Sequence, residues 1–316
     1  MLQAAETIGR FSDFFSDFFY RFEDERSAST LDYGRTLLSR CAALSLTTYE
    51  NLHKGTPFYW LARAAFIVHD YQTAVFYIDA AVSEDLRLGI KTSPALLFFL
   101  VDVLDERQAN IDLNKQLRKR FDDVIHQYNQ LFTPPSPLTL SDIQENFLKP
   151  ALWPTQSKPG EAWRALATAL SSFLLEWPHR SQLLGLRCGA GSAEPFFIHL
   201  FKGCLLFESL LKANPKKTLT TQPPIDTLNR VLKELLSELG LSSSPDTSSL
   251  HFQDILNQIP FSSTSIPTVI GITCKIRNTT GHRLGWEVTL DTTKYDILAG
   301  YVAMACLHAI ACLYRP

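Results

Sequence analysis

The 316-residue chain lacks most of the signatures that identify a known chemistry. It has six cysteines, Cys41, Cys188, Cys204, Cys274, Cys306 and Cys312, and no two of them form a C-x-x-C pair. That spacing argues against a zinc ribbon. The thiols sit mostly inside apolar runs, where a free thiol behaves as a small hydrophobe, so no disulfide framework is expected either. Both points favour a reducing, cytoplasmic compartment. Charge of one sign is also missing. Lys+Arg number 30 and Asp+Glu 32, a formal net charge of −2. A strongly basic protein that coats nucleic acid is thereby excluded, while a local basic patch could still hold RNA. There is no H-E-x-x-H, no G-x-S-x-G and no G-x-x-x-x-G-K, which removes zinc-protease, serine-hydrolase and phosphate-loop chemistry. No metal site and no cofactor is expected. The N-terminal stretch lacks the basic start and unbroken apolar core of a signal peptide, because Arg10, Asp13 and Asp17 interrupt it. One long apolar run exists, Ile297 to Tyr314, interrupted only by His308. It is at the short edge of the membrane-spanning range. Its many small residues favour a helix buried on all sides instead, with no membrane partner.

What is present is enough apolar sequence for a sizeable core: 46% hydrophobic residues against 20% charged. The length allows two domains. The pattern is helical throughout, without β-α-β alternation. Between residues 8 and 22, Phe11, Phe14, Phe15, Phe18, Phe19 and Phe22 recur at spacings of three and four, which predicts one aromatic helix face. Leu61, Ala62, Ala65, Tyr71, Ala74, Ile78 and Ala81 predict a close helical hairpin with its turn at His69-Asp70. The spacing resembles one tetratricopeptide repeat. Further helices are expected at about 93–106 and 111–132. The latter carries Lys115, Arg118, Lys119 and Arg120, read as a solvated face. Prolines 134, 135, 137, 150, 154 and 159 mark a linker, which predicts a helical, repeat-like interaction domain over 1–155 and a second domain over 156–316. In the second domain, helices are expected at 161–176, 196–212, 225–239 and about 293–314. A glycine loop at 185–191 separates the first two.

The stretch with chemical promise is Arg277-Asn278-Thr279-Thr280-Gly281-His282. Arginine followed by histidine with four to six residues between occurs three times, at Arg63/His69, Arg120/His126 and Arg277/His282, and about one such match is expected by chance. Only the third has a polar amide directly after the arginine and stands just before the last helix. Histidine can move protons near neutral pH. Arginine offers a planar, permanently charged fork for phosphate oxygens. Asn278 and His282 are spaced i,i+4, so on a helix the amide could orient the imidazole. Arg277 and His282 stand about 140° apart on a regular helix, so one copy does not converge neatly. Lys275 and Arg283 flank the motif as weaker candidates for phosphate contacts.

This motif, set in four or five helices, resembles the HEPN superfamily, and the resemblance covers about residues 190–316. It implies an all-α fold with a C-terminal HEPN-like bundle. It further implies a homodimeric, metal-independent endoribonuclease acting through attack of the RNA 2′-hydroxyl, with Arg277, Asn278 and His282 as catalytic residues. Nuclease members of the family are toxins or antiviral effectors of abortive-infection and CRISPR-associated systems. The N-terminal domain would then bind a protein regulator or sensor. The alternative is a non-catalytic helical adaptor that retains the motif without using it.

Overall fold

The computed structural model describes residues 10–17, 28–102, 111–132, 137–154, 160–186, 192–220, 227–245, 251–259, 264–280 and 290–315. The fold is all-α, and among the described residues there is no strand. The chain divides into two compact units, Met1–Arg118 and Lys119–Pro316. The division falls near residue 118 rather than near 155. The short helices inside the proline-rich segment pack on a long helix of the second unit, so the prolines there shape local turns instead of separating domains.

The first unit contains α1 (residues 10–17), α2 (Ala28–Leu44), α3 (Leu46–Asn51), α4 (Gly55–Ile67), α5 (Tyr71–Arg87) and α6 (Pro94–Phe99). The expected hairpin is α4 and α5. Leu61, Ala62, Ala65, Tyr71, Ala74, Ile78 and Ala81 are all buried, and the alanines let the two helices approach. His69 makes the turn in the left-handed region, at φ 62°. Asp70 then caps α5 by accepting from the Thr73 amide. At the hairpin's other end the buried Asp85 accepts from His53 Nε2 at 2.7 Å and from the Ser93 hydroxyl. A Cβ at Gly55 would lie 2.5 Å from His53 Nε2, so the glycine is what lets this pair close over the start of α4. The aromatic face of α1 is only partly as expected. Phe11 and Phe15 are buried but Phe14 is 52% exposed, and Phe18, Phe19 and Phe22 lie outside the described residues. The helix expected over 93–106 stops at Phe99, because Val101 turns to φ 57° and the Asp102 amide bonds back to Leu97 O.

The second unit is built from α7 (Ile111–Leu131, which the division crosses), α8 (Leu140–Ile143), a π turn (Gln144–Leu148), α9 (Lys149–Leu152), α10 (Gly160–Leu186), α11 (Glu194–Lys212), α12 (Leu228–Glu234), α13 (Phe252–Gln258), α14 (Ile266–Thr280) and α15 (Thr292–Leu313). Helix α15 is the apolar run. It is long and apolar enough to cross a membrane by composition, yet 78% of its apolar window is buried within the protein, and every residue from Leu298 to Ile310 is buried. Helix α11 packs along it, and α10 and α14 each touch both.

Helix α10 runs ten residues past its expected end at 176, through Pro178 and Gly185. An interior proline removes a helical hydrogen bond at a cost of about 3 kcal/mol. Packing offsets it: Trp177 donates to Asp296 of α15 at 2.8 Å and Ser181 donates to the other oxygen at 2.9 Å, one residue on each side holding the helix down. Helix α12, expected to reach 239, ends at Glu234, although Leu235 and Leu239 stay buried. The Lys217 ammonium takes the Glu234 carbonyl, which a continuing helix would need.

Two buried histidines close the core. The carbonyl of Phe173 can only accept, so His199 carries its proton on Nε2, donates there at 3.1 Å, and accepts on Nδ1 from the Tyr295 hydroxyl at 2.8 Å. His308 repeats the arrangement with Leu239 O at 2.9 Å and the Tyr128 hydroxyl at 3.1 Å. Both rings are neutral. Burial holds His199 down at about 3, against the opposing pull of Glu176, and burial lowers His308 as well.

Two outcomes are expected. A Cβ at Gly203 would lie 2.5 Å from both Phe173 Cε2 and Val302 Cγ1. Gly203→Ala therefore lowers stability by about 1–3 kcal/mol in urea unfolding despite alanine's better helix propensity; an unchanged or raised midpoint would refute the close α10–α11–α15 approach. The second concerns acid. Both histidines bind protons more weakly folded than unfolded, so their contribution is complete above the unfolded value near 6.5 and declines as pH falls below it, for His199 down to about 3. Each adds a slope of up to about 1.4 kcal/mol per pH unit in that window. Between about pH 6.5 and 5, where ordinary carboxylates stay ionised, stability falls with pH, and His199→Gln makes the fall shallower. Equal slopes for the variant and the parent would show that His199 is not the group responsible.

Candidate functional site

Helix α14 delivers the motif. Ile266, Val269, Ile270, Thr273, Cys274 and Ile276 are buried on its inner face against α11 and α15. Lys275, Arg277, Asn278 and Thr279 are half-buried as the helix reaches its last turn at Thr280. Arg277 and Asn278 are thus helical. Gly281, His282 and Arg283 lie outside the described residues, so the relation of His282 to Asn278 rests on their sequence spacing.

Arg277 is held from below. Its Nε donates to Glu208 Oε2 at 2.8 Å. Glu208 comes from α11, and its side chain is 8% exposed. The other carboxylate oxygen, Oε1, pairs with Lys212 Nζ at 2.8 Å. One buried carboxylate therefore carries two cations, each about one third exposed. The Lys212 pair was legible in the sequence as i,i+4 on one helix. The Arg277 pair was not, because 69 residues separate it from Glu208. The available signal was an acid in the middle of the apolar run Phe196–Leu211, where an unpaired carboxylate would not be tolerated.

Among the described residues, Arg277 makes no other hydrogen bond, which leaves Nη1 and Nη2 uncommitted. Three thiols of this unit, Cys204, Cys274 and Cys306, are buried. Burial raises all three, Cys274 to about 12, with Arg277 opposing the shift for Cys204 and Cys274. They stay protonated and are not candidate nucleophiles.

Four other histidines have structural surroundings. His69 lies 3.1 Å from the Tyr71 hydroxyl in the hairpin turn, and His126 bonds Gln130 on the exposed face of α7. His199 and His308 are closed off in the core. The basic face of α7 is partly neutralised by Asp123, which pairs with Lys119 at 2.7 Å and lies 3.8 Å from Arg120.

A second carboxylate is built the same way. Glu176 of α10 is buried and accepts from Ser172 at 2.9 Å, from Lys202 at 2.8 Å, and from Arg180 through Nε at 3.0 Å and Nη2 at 2.9 Å. Arg180 Nη1 goes to Pro195 O at 3.0 Å. Burial pushes Glu176 up, but the hydrogen bond and charge of Lys202 prevail and keep it below the usual range. Three of the five guanidinium N–H groups of Arg180 are used in this way, and the cluster ties α10 to α11. No known family, curated protein or solved structure matches the chain.

Proposed function

We propose that the second unit is a metal-independent endoribonuclease domain of the HEPN type, working in the cytoplasm as a homodimeric toxin or antiviral effector. The observation that carries this reading is the state of Arg277: held at Nε by a buried carboxylate, with no bond from its terminal nitrogens to any described residue and its side chain 31% exposed. That is a cation prepared for an anionic ligand.

In the proposed reaction the RNA 2′-oxygen attacks the adjacent phosphorus. The new P–O2′ bond forms as the P–O5′ bond breaks, leaving a 2′,3′-cyclic phosphate and a 5′-hydroxyl. The 2′-hydroxyl proton must leave and the departing 5′-oxygen must gain one, and His282 supplies that proton movement. Arg277 stabilises the charge that builds on the phosphorane oxygens. Asn278 orients the imidazole four residues on in the sequence. Because Arg277 and His282 diverge on a regular helix, a two-fold dimer brings two motifs together into a composite site. Lys275 and Arg283 are weaker RNA contacts at its edge.

The helical-adaptor reading has one observation in its favour. The first unit leaves Tyr33 and Phe76 63% exposed, and such side chains suit a protein partner, whether regulator or sensor.

The test is incubation of the full chain with end-labelled RNA in EDTA. Cleavage to cyclic-phosphate ends is expected. His282→Ala and Arg277→Ala reduce the rate by about 10²-fold or more, and Asn278→Ala reduces it less. Wild-type rates in His282→Ala would remove the catalytic assignment. An inactive wild-type chain that still folds and dimerises would favour the adaptor.

A further inference from the structure

We draw no further inference here: the strongest candidate, the surface patch on α10 and α11 where Leu183, Leu186, Ile198 and Leu205 are exposed, carries none because nothing in the structure shows what covers it.

Discussion

Helix α15 has no face to show to water between Leu298 and Ile310, and the rest of the second unit follows from that constraint. A helix apolar all round must be enclosed. Here α10, α11 and α14 do the enclosing, with Tyr128 of α7 reaching His308 from outside. Enclosure at this density requires glycine where three helices meet, which is the situation of Gly203 between Phe173 and Val302. It also overrides local preference. The proline inside α10 would end an isolated helix, but Asp296 of α15 takes a donor from each side of it.

The same enclosure traps polar groups, and the ways they are satisfied divide into two kinds. His199 and His308 are neutral, each donating to a carbonyl and accepting from a tyrosine hydroxyl. They add specificity to the core without bringing charge into it. Glu176 and Glu208 are carboxylates and must draw cations inward. Each cation arrives on a long, partly exposed side chain. Chemistry at the surface of this unit is thus coupled to the requirements of its interior: Arg277 stands where it does because Glu208 is buried beneath it.

This coupling explains what could be read from the sequence and what could not. Helix class, the α4–α5 hairpin and the buried character of α15 follow from periodicities within single segments, and these are local. The ends of α6, α10 and α12 were missed because each is decided by a distant or unusual event: a left-handed valine, a tether to Asp296, and a lysine that takes a carbonyl. The domain division moved from 155 to about 118 because proline density reports local helix breaks, not which helices pack together. At the candidate site, residue type and spacing singled out Arg277 and Asn278. They offered Glu208 as a further candidate or, more simply, as the i,i+4 partner of Lys212, and its contact with Arg277 joins residues 69 positions apart.

A buried acid under an exposed arginine is usually read as a salt bridge and left there. In this protein Glu176 and Glu208 are both buried, and each holds an arginine and a lysine. Arg180 places three N–H groups on protein acceptors, while among the described residues Arg277 donates from Nε to Glu208. An anion with paired oxygens is the ligand that a guanidinium fork fits best.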